Sequence, residues 1–176
     1  MFRFSFLAIV FFLYVASSYA RTNIVDVQAI CKQAQDPSFC FTFLKSRPGG
    51  PGKDLGDLES YSLGILRTNV SNTITLITKL ITQSGSDLNK QNHYKICLQY
   101  FGDEEGALHF VKSAQQDLKN SYYVGVNLNA CGVIDFVVDC LSGDNIPIKD
   151  TSSLPKNASV VKNIAEIIVI ISSMLM

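Results

Sequence analysis

Tryptophan is absent from this 176-residue chain, histidine occurs only twice, and no block of like charge interrupts it. Fifteen Lys and Arg balance fifteen Asp and Glu, without a basic stripe. That argues against nucleic acid or an anionic membrane as the main partner, since either is met by clustered cations. No glycine-rich phosphate loop follows a strand, no sequence repeat is visible, and the strict alternation that marks a half-buried strand is missing. His93 stands beside Tyr94 and His109 lies between Leu108 and Phe110. No known motif brings a serine or cysteine to either one. Asp103-Glu104-Glu105 reads as the solvated face of one helical turn rather than a metal site. No active site assembles, so the chain is expected to be no enzyme and to need no cofactor or metal.

What the chain does have is a secretory start. Arg3 supplies the positive charge, Phe4 to Val15 the apolar stretch, and Ser18-Tyr19-Ala20 the small residues before a cleavage site. A membrane anchor would need about 20 apolar residues, and polar sequence follows this shorter run at once. Residues 1–20 are therefore expected to be a signal peptide and 21–176 one secreted domain, long enough to bury its own core. The sequons at Asn69 and Asn157 are then glycosylation candidates.

An oxidising compartment makes paired cysteines structural bridges. Cys31 and Cys40 are close in sequence, with Pro37 between them. Cys97 and Cys140 are centred on Leu118–Lys119, at the edge of a polar break between two helical runs, so an antiparallel hairpin sets them side by side. Cys131 cannot reach Cys140 along one helix, because nine residues span roughly 13 Å and a disulfide needs Cα atoms within about 7 Å. The expected pairs are Cys31–Cys40 and Cys97–Cys140, with Cys131 a free thiol. In the loop-entropy account they contribute at most about 2.7 and about 4 kcal/mol.

Apolar residues recur every three or four positions. Leu66, Val70, Ile74, Ile77 and Ile81 form one stripe, and Tyr94, Leu98, Phe101, Leu108, Val111 and Leu118 a second. Val126, Ala130, Val133, Val137 and Leu141 make the third; Val160, Ile164, Ile168, Ile171 and Leu175 make the fourth. Asp54, Asp87 and Ser121 stand where N-caps are expected. The fold class expected is all-α: an antiparallel four-helix bundle preceded by a short N-terminal helical hairpin, with two disulfides. The closing run Ile164 to Met176 reads as a core helix rather than a lipid-anchor signal, because Glu166, Ser172 and Ser173 interrupt it.

Opposite the first stripe, Thr68, Ser71, Thr75, Thr78 and Thr82 form a row of short hydroxyls, which cost little side-chain entropy to order. With His109, Lys112 and Gln116 on the next segment they are the candidate partner-binding face.

Ile30-Cys31, Asp36-Pro37-Ser38 and Cys40, Asp54-Leu55 with Leu58, Cys97-Leu98 with Tyr100, Asn145-Ile146-Pro147, and Ile170-Ile171-Ser172 with Leu175 occur in one order and spacing. In these the chain resembles the plant invertase and pectin methylesterase inhibitor family over the whole mature length. The resemblance implies a helical hairpin before a four-helix bundle, with first-to-second and third-to-fourth disulfides. It also implies an inhibitor secreted to the apoplast that docks reversibly, one to one, over the substrate cleft of a cell-wall pectin methylesterase. Acid invertase, in the cell wall or vacuole, is the alternative partner, and a non-inhibitory secreted binding or structural protein the alternative class. Invertase inhibitors often carry Pro-Lys-Phe where this chain has Asn120-Ser121-Tyr122-Tyr123, which favours the pectin methylesterase branch. Phe136-Val137-Val138-Asp139 departs from the small residues and threonine usual before the fourth cysteine. Cys131 is extra, and Ala165 stands where a free cysteine is frequent.

Overall fold

Local sequence starts most of the helices. Asp36 accepts a hydrogen bond from the Phe39 N–H at 2.9 Å, and Pro37 occupies the first turn, where a missing N–H costs nothing. Asp26, Asp54 and Asp87 cap in the same way. The computed structural model describes residues 25–52, 54–142 and 150–176; the expected signal peptide and Asn145-Ile146-Pro147 lie outside the described residues. The helices are α1 Val27–Cys31, α2 Pro37–Lys45, α3 Leu55–Gln83, α4 Leu88–Phe101, α5 Ala107–Lys119, α6 Tyr123–Ser142 and α7 Leu154–Leu175. The chain is all-α with two disulfides.

Packing explains why β-branched residues are helical here. Ile164, Ile167, Ile168 and Ile171 of α7 are at most 1 % exposed. Fully burying such a side chain is worth about 1.5–3 kcal/mol, against a helix-propensity cost of roughly 0.7 kcal/mol or less, so burial wins. α7 packs along α6 and α3, α5 along α6 and α3, and α4 along α3 and α6, while the pair α1–α2 packs on itself and on α7. Asn127, near the start of α6, donates to the Val169 carbonyl near the end of α7 at 2.9 Å, so these two helices run antiparallel. Of the four stripes, Leu66, Val70, Ile77, Val126, Ala130, Val133 and Val137 are fully buried. Ile74, Ile81, Leu141, Val160 and Leu175 lie at the core's edge.

Two local expectations need correction. The second stripe is not one helix. Gly102 ends α4, Gly106 opens α5, and Asp103-Glu104-Glu105 lies in the break rather than on a helical turn. A Cβ at Gly106 would sit 2.6 Å from the carbonyl oxygens of Gln99 and Tyr100, so the tight fold-back requires glycine. Ser121 is not an N-cap either. It closes α5 with φ +54°; its N–H bonds the Leu118 carbonyl, and the next N–H, of Tyr122, bonds that of Asp117. This is the paired-bond ending in which a left-handed residue satisfies the last carbonyls of a helix.

The bridges are Cys31–Cys40, joining α1 to α2, and Cys97–Cys140, joining α4 to α6, with Cα separations of 5.4 and 4.8 Å. Cys131 is unpaired and half-buried on α6. Glu59, on the core side of α3, is fully buried and neither carboxyl oxygen has a hydrogen-bond partner. Burial pushes its pKa up to about 9, so it is neutral at pH 7.

Candidate docking surface

At 100° per residue, Thr68, Ser71, Thr75, Thr78 and Thr82 fall within an arc of roughly 80° on α3, opposite Leu66, Val70 and Ile77. All five are exposed. Their hydroxyls are not idle. Thr68 donates to the Gly64 carbonyl, Thr75 to Ser71, Thr78 to Ile74 and Thr82 to Thr78, at 3.0–3.2 Å. With its proton turned back on the helix, each of these threonines offers a partner an acceptor oxygen and a methyl group rather than a donor. The surface therefore complements donors such as Arg, Lys, amide or backbone N–H groups.

His109, Lys112 and Gln116 are exposed on the outer side of α5, opposite the buried Ala107, Val111 and Ala114. Lys112 is paired within the chain: its Nζ lies 2.6 Å from both carboxylate oxygens of Asp103. Arg67, on the flank of α3, donates to Gln115 of α5 at 3.3 Å, which fixes the two helices side by side. Beneath this contact runs an open furrow of about 430 Å³, with Ser60 and Leu63 on one wall and Leu118 and Tyr123 on the other. Arg67 and Gln115 were not singled out from the sequence, and Asp103 was read only as part of a solvated carboxylate run. Gln115 is adjacent to Gln116, but only the packing of α5 on α3 shows which of the two faces outward.

The outer side of α6 carries a second surface. Leu128, Val124 and Val138 are 64, 44 and 40 % exposed, beside exposed Asp135 and Asp139. Asp139, the departure before the fourth cysteine, thus projects from the bundle and disturbs no core contact. Cys131 lies between them, its thiol pushed up by burial and then by Asp135, so it is protonated at neutral pH. Gly132 lets the Phe110 ring approach: a Cβ there would sit 2.5 Å from it. The candidate glycosylation sites are both half-buried. Asn69 donates to the Ile65 carbonyl within α3, and Asn157 lies in the first turn of α7.

The histidines part company. His109 is exposed, whereas His93 lies beside Asp150, both lining a cavity of about 250 Å³ at one end of the bundle. Burial holds His93 below its ordinary value, and the nearby carboxylate of Asp150 opposes that. The sulfur near this ring belongs to Cys97 and is held in the long disulfide, so it is not a nucleophile. Among the described residues no three His, Cys, Asp or Glu side chains converge on a point that would hold a metal ion.

Comparison with known proteins bears on this geometry. Residues 25–171 match the family model described as plant invertase/pectin methylesterase inhibitor. Pectinesterase inhibitor 2 of Arabidopsis thaliana is 27 % identical over 92 % of this chain and 91 % of its own length. Pectinesterase inhibitor 1 of the same plant is 26 % identical over 96 and 92 %. The crystal structure of a mutant form of a pectin methylesterase inhibitor from Arabidopsis superposes with a TM-score of 0.76 at 24 % identity, over 86 % of this chain and 97 % of that one. A second pectin methylesterase inhibitor structure from Arabidopsis thaliana gives 0.63, over 86 and 96 %. At that identity these two likenesses establish the fold.

Proposed function

Since the chain belongs to the plant invertase/pectin methylesterase inhibitor family, we propose that it is a secreted inhibitor of pectin methylesterase, acting by reversible one-to-one docking over the enzyme's substrate cleft. In this reading residues 1–20 are removed as a signal peptide, residues 21–176 form the inhibitor domain, and the site of action is the apoplast. The protein works by binding and turns over no substrate. The observation that carries the reading is the near-full-length similarity to two pectinesterase inhibitors.

The docking face is the outer side of α3 and α5, with Thr68, Ser71, Thr75, Thr78 and Thr82 on one and His109, Lys112 and Gln116 on the other. Its support is physical. These side chains stand on helices packed into the core, so little freedom is lost on binding and more of the contact energy survives as affinity. Acid invertase is the other target that the family name carries. Titrating the purified mature chain against both enzymes separates them: loss of pectin methylesterase activity that saturates at one equivalent is expected. Inhibition of invertase alone would reassign the target, and inhibition of neither would end the proposal.

A further inference from the structure

His93 sits on the second turn of α4, and Asp150 four residues before α7 begins. Their side chains are 12 and 10 % exposed. The Asp150 Oδ1 is satisfied: it accepts from the Tyr94 hydroxyl at 3.1 Å and from the Ser152 N–H at 2.8 Å. Its Oδ2 is buried with no hydrogen-bond partner. The His93 Nε2 lies 3.9 Å from that oxygen, too far for a hydrogen bond. The same nitrogen is 4.0 Å from the Cys97 sulfur, so the ring is wedged between the long disulfide and the segment leading into α7.

Among the described residues, the other groups around the ring are few. Lys90, one turn earlier on α4, lines the same cavity, and its ammonium lies 3.5 Å from Asp87. α3 contributes Leu80, Gln83 and Ser84, and α6 contributes Cys140 through the disulfide. Tyr94 is adjacent, and its hydroxyl is committed to Asp150. Among the described residues lining this cavity, Asp150 is the one carboxylate.

We propose that His93 and Asp150 work as an acid-released latch holding the segment that leads into α7 against α4. While the ring is neutral, it sits between disulfide and carboxylate with one N–H to satisfy rather than two. When it takes a proton from solvent, both ring nitrogens become donors, and among the described residues Nε2 has no oxygen acceptor at bonding distance. Satisfying the cation requires either Asp150 or the ring to move by about 1 Å to reach hydrogen-bond length. Opening the segment to water hydrates both groups. Burial, which disfavours the charged ring, makes opening the favoured response in acid, and the charge of Asp150 limits how strongly.

The sign follows from linkage. A histidine whose folded value lies below its ordinary 6.5 leaves the closed state fully stable above that pH. Stability is then lost as pH falls towards the folded value. Each unit of depression corresponds to a tenfold change in the opening equilibrium. The test is amide hydrogen exchange on the full mature chain at pH 7.5 and pH 5, with protection corrected for the intrinsic rate. In the wild type, protection at Ser152 and Leu154 should drop in acid by several-fold or more, while α6 holds. His93→Gln should abolish the drop. Asp150→Asn should enlarge it and lower the His93 titration midpoint, read from its ring proton resonance. Protection that is unchanged or higher in acid, or a drop that persists in His93→Gln, overturns the latch. The glutamine variant decides the matter alone if Asp150→Asn does not fold.

Discussion

The Lys112 ammonium of α5 lies 2.6 Å from both carboxylate oxygens of Asp103, so the middle of one helix is tied to the break that precedes it. Both side chains are about half exposed, and such a pair stabilises the fold by only about 0.2–1 kcal/mol. Its larger consequence is for the proposed docking face, where it sets the position of a cation and the shape of the break.

Lys112→Glu should therefore leave circular dichroism unaltered and cost at most about 1 kcal/mol of stability, while weakening inhibition of pectin methylesterase at least several-fold. Thr75→Trp, which places a large side chain in the middle of the hydroxyl row, should do the same with no change in melting. Wild-type inhibition by both variants would place docking on another face.

Glu59 is expected to make stability fall with rising pH. Its folded value of about 9 lies above the ordinary 4.5 of a glutamate, so its favourable contribution is complete below about pH 4.5 and is lost progressively towards pH 9. Glu59→Met, similar in volume and apolar, should raise the urea midpoint at pH 8 and flatten the decline between pH 5 and 9. An unchanged pH profile in that variant would mean that the carboxyl is hydrated.

Ser121→Gly should be stabilising by about 0.5–1 kcal/mol. The residue is in the left-handed region at φ +54°, where a Cβ is unfavourable and glycine is not. The check is a higher urea midpoint with the same slope. A loss of stability would show that the Ser121 side chain is needed in the turn.

The repeat of Leu66, Val70 and Ile77, and of Val126, Ala130, Val133 and Val137, made the helices and their inward faces legible, because burial recurs with the helical period. Glu59 was legible in principle, seven residues before Leu66 and so on the same face, but its charge argued for solvent. Other features depend on contacts that have no period. At the Gly102–Gly106 break a Cβ on Gly106 would meet two carbonyls; the break takes Asp103 off the helical turn that the sequence suggested, which hid its pairing with Lys112. Ser121 looked like a cap because helix ends and starts share small polar residues; the bonds to Asp117 and Leu118 decide its role. His93 and Asp150 are 57 positions apart, and nothing near either one announces the other.

Non-reducing peptide mapping should return Cys31–Cys40 and Cys97–Cys140, and Cys131 should be the residue that takes up maleimide. Because burial and Asp135 keep that thiol protonated, labelling should be slow at pH 7 and quicken above pH 9. Replacing Cys97 and Cys140 together by serine should cost about 2–5 kcal/mol. A bridge to Cys131 in the native monomer would contradict the packing of α4 on α6.

The proposed docking over a substrate cleft is tested most directly by steady-state kinetics of pectin methylesterase on methylesterified pectin at several fixed concentrations of the mature chain. Occlusion of the cleft predicts that the apparent KM rises with inhibitor while kcat stays constant, with complex formation saturating at one inhibitor per enzyme. A lowered kcat at unchanged KM would contradict docking over the cleft, and unaltered rates at a large molar excess would contradict inhibition itself.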